Sequence, residues 1–600
     1  MADAAPPMRT HDAGSMGESM IGDRVTVAGW VQRRRDHGGI AFLDLRDASG
    51  LIQVVADPSE HEDATDLRME YCISVTGVLR ARPEGTENPD LATGAVEIGA
   101  EEIVVLSPAD TLPFMIDDRV EVDERARLRH RYLDLRRPRM AANLRARSRA
   151  TAAIRRALDD QGFLEVETPT LINSTPEGAR DMLVPSRLRP GEFYALPQSP
   201  QLFKQLLMIS GVERYFQIAR CYRDEDFRAD RQLEFTQLDL EGSFWDRDDV
   251  LNVIETVLVA AAKVLRGVDI TRPFPRLTWQ EAMDRFGSDK PDLRIAAEIV
   301  DVSQLFTDSG FGVFKGALDA GGTVRGINVG GQEWSRAKAD SLTERAKEMG
   351  AKGLVWMVAE EDGSLRSPVA KFLDDAEAAG IKTALGAEPG DVILMAADRW
   401  RVAVEVLGGL RNDLLRPKGH QDLAFLFVID FPLFEEEDDG SVTFSHHPFT
   451  SPMSLEEMRD NPTGALSKAY DAVLNGVELG SGSVRIHDPA VQREVFEILG
   501  IAPETAEKRF GWFLEALRYG TPPHAGFAFG IDRLVMVLQG ESSIREVIPF
   551  PKTQSGVDPM TGAPTWVDES QLDELGLNLN TRARQRREEL GETQDTPGDW

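Results

Sequence analysis

Residues 221–241 read CYRDEDFRADRQLEFTQLDLE. The flanking stretches YFQIARCYRDE and EFTQLDLEGSF carry the period-two pattern of strands, and DFRADRQ between them is polar and charged, so the segment predicts an antiparallel hairpin. Alternation places Gln217, Cys221, Arg223 and Glu225 on one face, with Phe235, Gln237, Asp239 and Glu241 on the same side of the partner strand. Ile218, Leu238 and Leu240 fall on the other side. One side is therefore core, and the other is an exposed face of arginine, carboxylates, amide and aromatic ring, with Arg220, Arg228 and Arg231 close by. That inventory suits a nucleotide: guanidinium for phosphate, ring for base stacking, carboxylate and amide for polar edges or metal-bound water. A salt-bridged surface hairpin explains the charges but not Phe235 and Gln237 on the same face.

The 600 residues exceed one hydrophobic core, and several domains are expected. With 42% hydrophobic and 28% charged residues the composition is that of a globular protein. The first twenty residues lack the apolar run of a secretory signal and VLVAAAKVL is too short to span a bilayer, so no membrane association and a cytoplasmic location are expected. The two cysteines, Cys72 and Cys221, exclude a disulfide framework and a cysteine-based zinc cluster. A net charge of −32 argues against indiscriminate polyanion binding. Against that background, Arg119 to Arg156 holds thirteen arginines and four acids. Such a segment is either a solvated helix face whose charges pair locally or an electrostatic footprint for nucleic acid.

Residues 21–106 contain five or so short strands with glycine and Asp-Pro breaks, which suggests a small closed β-barrel. The expected organisation is a barrel over 1–108, a hinge over 109–145, a first core segment over 146–294, an inserted domain over 295–415, a second core segment over 416–555 and a polar C-terminal extension over 556–600. The insertion stands out because patterned charge lapses there and returns only at SHHPFT, ELGSGSVRIHD and HAGFAFGIDRL.

CYRDEDFRADRQLEFTQLD resembles motif 2 of the class II aminoacyl-tRNA synthetases, GFAFGIDRL resembles motif 3, and the segment around Glu167 and Pro169 resembles motif 1, which usually forms a dimer interface. STPEGARD, LPQSPQLFKQLLM, HHPFTSP and GSGSVRIHD are together similar to the bacterial-type aspartyl-tRNA synthetases, and the likeness runs in order from about residue 20 to 555. The resemblance implies an α+β multidomain fold: an OB-fold anticodon-binding barrel, a catalytic domain with an antiparallel sheet flanked by helices, and an inserted α+β domain shared with an amidotransferase subunit. It implies activation of L-aspartate by ATP with Mg2+, transfer of the aspartyl group to tRNA, and a homodimer.

Carried onto this chain, the resemblance implies that Arg223 holds the α-phosphate and touches aspartate, and that Arg533 grips the terminal phosphate opposite an adenine stacked on Phe235. Asp224, Glu225, Gln232, Glu478, Gly530, Ile531 and Asp532 complete the ATP contacts, and Asp471 with Glu478 holds Mg2+. Arg485 and Lys204 form the cationic pocket for the substrate carboxylate, with Asp239 orienting them; Glu177 takes the ammonium; Gln201 and one of His446 and His447 complete the contacts. A guanidinium donates to both oxygens of a carboxylate, whereas an amide offers one oxygen and turns N–H donors toward the other prong, leaving the buried cation unpaired, so such a pocket separates aspartate from asparagine.

In the barrel, Phe42 is implied to stack on an anticodon base, with Gln53 and Arg33 to Arg35 on base edges or phosphate; alternation also allows Phe42 to be core. In RRRDHGG and RPEGTENP, His37 and Gly85 stand where tRNA-Asp-specific enzymes tend to have leucine and lysine. Histidine with glycine resembles the relaxed branch that also aspartylates tRNA-Asn, whose product is amidated later, with transient contact to an amidotransferase. A strictly tRNA-Asp-specific enzyme, asparaginyl or lysyl activation, and a non-catalytic RNA-binding relative remain the alternatives.

Overall fold

The computed structural model describes residues 8–61, 66–174, 179–225, 229–417, 419, 422–437 and 439–589. The chain divides into two compact units, one of residues 1–142 with 559–561 and one of 143–558 with 562–600.

In the first unit β1 (Arg24–His37), β2 (Ile40–Arg46), β3 (Leu51–Ala56), β4 (Cys72–Ala81) and β5 (Val96–Ser107) close into a barrel of order β1-β2-β3-β5-β4. Alternation fills it: Val25, Val27, Leu43, Leu45, Ile52, Val54, Ile73 and Val75 point inward and are fully buried. Phe42, between Ala41 and Leu43, therefore faces outward and is half-buried, across from Arg35 on β1 and Val55 on β3. The arginine-rich segment is largely paired. Asp134, fully buried, accepts from Arg127 and Arg131; Arg136 pairs with Glu70 and lies 4.7 Å over the Trp30 ring; Arg119 pairs with Asp117. Local pairing thus absorbs much of the charge that could have served as a nucleic-acid footprint.

The second unit is built on an eight-stranded sheet of order β9-β15-β16-β17-β18-β8-β7-β6. These are β6 (Leu164–Glu165), β7 (Arg214–Tyr222), β8 (Glu234–Ser243), β9 (Arg276–Thr278), β15 (Phe425–Ile429), β16 (Ala469–Leu474), β17 (Val477–Val484) and β18 (His524–Gly530). The two edge strands pair parallel to their neighbours and every other pair is antiparallel. One face packs on α1 (Pro138–Asp159) and α3 (Arg247–Arg266) through Ile154, Leu158, Leu238, Leu240, Val250, Ile254 and Phe527. The helix α2 (Gln201–Ile209) packs on β8 from the cavity side and on α5 (Pro503–Ala516), while α6 (Ile531–Gln539) follows β18 and packs its apolar LVMVL run into the core.

Between β9 and β15 lies a separate five-stranded sheet, β10 (Ile299–Asp301), β11 (Thr323–Gly331), β12 (Val355–Ala359), β13 (Leu365–Arg366) and β14 (Asp391–Asp398), in the order β10-β11-β14-β12-β13, followed by α4 (Trp400–Leu415). It carries its own cores on its two faces. Among the described residues no helix is long and apolar enough to cross a membrane, and neither cysteine is in a disulfide.

Candidate functional site

The expected antiparallel hairpin forms, with Phe235 opposite Cys221, Gln237 opposite Ala219 and Asp239 opposite Gln217. Its polar face is not exposed, however. Gln237 is 8% exposed, Asp239 1% and Glu241 0%, because α2 and the 445–449 loop cover it and turn the sheet face into the floor of a cavity of 580 Å³. The ladder stops at Tyr222, so Arg223 and Glu225 stand on the connecting loop at the cavity mouth.

At the deep end sit four charges. Helical spacing puts Gln201, Lys204 and Met208 of α2 on one buried face, and Lys204 Nζ reaches Asp239 Oδ2 at 3.0 Å and Glu241 Oε2 at 3.2 Å. Arg485, just past β17, donates through Nε to Glu241 Oε1 at 2.8 Å and through Nη2 to Oε2 at 3.1 Å. The partner orienting Arg485 is thus Glu241, while Asp239 holds Lys204; alternation had placed Glu241 on this face without a role. Gly526 makes the clamp possible, since a Cβ there would lie 1.7 Å from Glu241 Oε2.

Burial pushes the Asp239 carboxyl up to about 6, since Lys204 is shared with Glu241 and offsets only part of the desolvation. At Glu241 burial acts in the same direction but Arg485 and Lys204 outweigh it, holding the carboxyl at about 2. Arg485 also donates through Nη1 to His447 Nε2 at 2.6 Å and to Ser483 Oγ at 2.8 Å. A guanidinium can only donate, so Nε2 is an acceptor and the ring is neutral; burial and the Arg485 charge both push its pKa well below the usual value. His446 turns the other way, its Nε2 3.3 Å from Asp471 Oδ1. Burial lowers its pKa but that carboxylate more than compensates, and the net direction is up.

At the mouth, Arg223 lies over the Phe235 ring, 5.1 Å from its centroid, and among the described residues its side chain is otherwise held by one long bond from Nε to Gln198 O at 3.4 Å. Arg533 donates to Glu478 O at 2.7 Å and pairs with Asp230 at 3.2 Å. Glu225 pairs with Arg231 at 3.0 Å, and the Gln232 amide is used at both ends by the Lys552 backbone. Gly530 lines the cavity.

Other residues lie elsewhere. Ile531 is fully buried in the sheet core, because an apolar side chain opening α6 faces inward. Asp224 is exposed and paired with Arg180 at 3.4 Å, outside the cavity lining. Asp532 does line the cavity, but its carboxylate is taken up by the Thr236 N–H, which donates at 2.7 Å, and by Arg147. Asp471 opens on an adjoining cavity of 430 Å³, which Glu478, His446, Asp289 and Glu435 also line. Glu177 lies outside the described residues. Among the described residues no cluster of three or more His, Cys, Asp or Glu side chains could hold a metal by itself.

In the barrel, Gln53 is 7% exposed and donates to Glu97 Oε2 at 2.8 Å, and Arg35 reaches Asp44 at 2.7 Å and Gln53 at 3.3 Å. Arg33 and Arg35 are exposed on the outer face with Phe42 between buried neighbours, and His37 is exposed at the end of β1. Gly85 is exposed with φ at +82°, the left-handed region in which a side chain is strained.

This arrangement coincides with known families. The class II tRNA synthetases (D, K and N) match residues 123–554, and the OB-fold nucleic-acid-binding domain matches residues 25–106. The chain is a class II aminoacyl-tRNA synthetase. Relatives named aspartate–tRNA(Asp/Asn) ligase from Halothermothrix orenii and Moorella thermoacetica are each 52% identical, the first over 95% of this chain and 98% of its own, the second over 96% and 97%. The synthetase also shares its fold with the asparaginyl-tRNA synthetases of Pyrococcus horikoshii (TM-score 0.54, 19% identity, 89% of this chain and 96% of that one) and Entamoeba histolytica (0.57, 18%, 90% and 98%), both solved with asparaginyl-adenylate.

Proposed function

We propose that this synthetase condenses L-aspartate with ATP to aspartyl-adenylate and pyrophosphate, and passes the aspartyl group to tRNA-Asp and tRNA-Asn. One observation carries the reading: a cavity with a buried, clamped guanidinium and ammonium at its deep end and, at its mouth, the Arg223 and Arg533 guanidinium groups with an aromatic ring. The deep end fits a small dicarboxylic acid and the mouth fits a nucleoside triphosphate. Relatives over nearly the whole chain carry a name that includes both tRNAs.

In this reading the side-chain carboxylate of aspartate sits against Arg485 and Lys204. Its α-carboxylate oxygen attacks the α-phosphorus, the bond to pyrophosphate breaks, and Arg223 meets the charge growing on the phosphate oxygens. Arg223 must leave the Phe235 ring for this, at a cost of about 0.5–1 kcal/mol for an exposed cation–π contact. Arg533 and Phe235 hold the nucleotide and Gln201 with His447 completes the amino-acid contacts. A tRNA ribose hydroxyl then attacks the carbonyl carbon and AMP leaves. Asp471 and Glu478 are hard oxygen donors opening on one cavity, which fits a Mg2+ ion completed by phosphate oxygens. When bound, that ion would neutralise triphosphate charge.

We extend the proposal to the organisation of the chain: barrel 1–108 reading the anticodon through Phe42, Gln53, Arg33 and Arg35, hinge 109–145, catalytic segments 146–294 and 416–555, and an insertion over 295–415 open to transient amidotransferase contact. A cytoplasmic homodimer is included. The edge strand β6 and exposed Leu164, Leu171, Leu183, Phe193 and Tyr194 supply apolar surface for a second copy. A mass of 66.4 kDa in sedimentation would exclude the dimer.

The deciding experiment is pyrophosphate exchange with aspartate, asparagine and lysine, followed by charging of both purified tRNAs. Exchange should depend on aspartate, and charging of tRNA-Asp and tRNA-Asn should agree within about ten-fold. Installing His37→Leu with Gly85→Lys should depress tRNA-Asn charging preferentially. Exchange with asparagine alone, or no charging of tRNA-Asn by the unaltered chain, overturns the corresponding half of the proposal.

The Asp239 carboxyl makes aspartate binding pH-dependent. With Lys204, Arg485, Asp239 and Glu241 all ionised the set is neutral. As pH falls through about 6 Asp239 takes a proton and the set gains a positive charge, while free aspartate keeps its side-chain charge down to about pH 4. KM for aspartate is therefore expected to fall a few-fold between about pH 7.5 and about 5.5. His447 stays neutral throughout, but Asp471 in the adjoining cavity is also pushed by burial up to about 6. Asp239→Asn is the control: it should flatten the profile, and a native KM that rises on acidification contradicts the charge argument.

A further inference from the structure

Three segments far apart in sequence meet at one carboxylate. Asp532, 2% exposed in the first turn of α6, accepts from the backbone N–H of Thr236 at 2.7 Å through Oδ2 and from Arg147 Nη1 through Oδ1. Arg147 Nη2 donates to Thr236 Oγ1 at 2.9 Å, closing the cycle; Arg220 Nη1 adds a bond to the same hydroxyl at 3.2 Å. Arg147 lies on α1 and does not line the cavity.

The cycle sits where the ladder between β8 and β18 runs out, although β8 stays paired with β7 there. The pairing of β8 with β18 begins at Gln237 opposite Gly530, so Phe235 and Thr236 lie beyond it, as do Asp532 and Arg533 at the start of α6. Phe235 is next to Thr236, and Arg533 is next to Asp532. The spacing between that ring and that guanidinium thus depends on the carboxylate between their neighbours. A buried carboxylate with a single neutral donor is costly and free to relax; the Arg147 guanidinium compensates its charge and, by bonding both partners, fixes their separation.

We propose that Arg147 is a positioning residue for ATP, acting through Asp532 and Thr236 to hold Arg533 and Phe235 at the spacing the nucleotide requires. This rests on the reading of Phe235 and Arg533 as nucleotide contacts. The aspartate end, built on β17, α2 and the inner part of β8, is independent of the cycle.

Arg147→Met and Arg147→Lys, purified as full-length chains, test it by pyrophosphate exchange with each substrate varied in turn. The methionine variant should raise KM for ATP by about ten-fold or more while KM for aspartate stays within about two-fold. The lysine variant, keeping a cation for Asp532 but losing the second bond, should recover most of the ATP affinity. A purely structural loss lowers kcat in proportion to folded protein, followed by thermal melting, and moves neither KM. That outcome, or equal rises in both KM values, overturns the proposal. Should the methionine variant fail to fold, the lysine variant decides: a KM for ATP unchanged from the native value counts against the role, and a selective rise of a few-fold supports it. Absence of aspartate-dependent exchange in the unaltered chain would instead reject the assigned function.

Discussion

Replacing Arg485 with leucine is expected to lower kcat/KM for aspartate by roughly 10³-fold, about 4 kcal/mol, the scale of truncating one partner of a buried, hydrogen-bonded charge pair. Arg485 is 2% exposed and clamped in two-pronged fashion by Glu241, so it cannot turn to solvent and is aimed before any ligand arrives. Its loss removes half of the positive charge facing the substrate carboxylate and leaves Glu241 with Lys204 alone, which Asp239 already shares. The stranded carboxylate also costs stability, on the order of 3–5 kcal/mol for a broken buried pair. Stability and activity separate in the double variant Arg485→Leu with Glu241→Gln, which removes the stranded charge. Melting temperature should recover and activity should not. Recovery of aspartate-dependent exchange in the double variant would show that the guanidinium serves the fold rather than the ligand.

Arg223→Gln is expected to leave the fold intact and lower the rate of adenylate formation by about 10²–10³-fold, about 3–4 kcal/mol, the effect of removing one donor aimed at charge that develops in the transition state. Among the described residues its side chain is tied by one long bond to Gln198 O and by its place over the Phe235 ring, and neither supports the core. Melting should therefore shift little, and single-turnover adenylate formation should reveal the loss. A drop confined to KM for ATP, with the chemical step unchanged, would reassign Arg223 to ground-state binding. The contrast with Arg485 is physical: one guanidinium is fixed by a buried carboxylate for recognition, the other is lightly held and free to move onto a phosphate.

Residues 221–241 by themselves determined the hairpin and its two faces, with Phe235, Gln237 and Asp239 on one side, because alternation is a local property of extended backbone and any strand obeys it. The barrel was equally legible in its strand pattern, and so were the residue types that gather in the cavity, through the order of the motifs. Which charge answers which was not. Glu241 and Arg485 are 244 residues apart, and Arg147 and Asp532 are 385 apart. Their meeting depends on strand order, with β17 and β8 both flanking β18 and Gly526 leaving room for a carboxylate. Whether a polar sheet face is solvent-exposed or a cavity floor, and whether Ile531 or Asp224 points at a ligand or away, depends on what packs over them. Neighbours along the chain carry no information about that packing, so only the tertiary structure decided it.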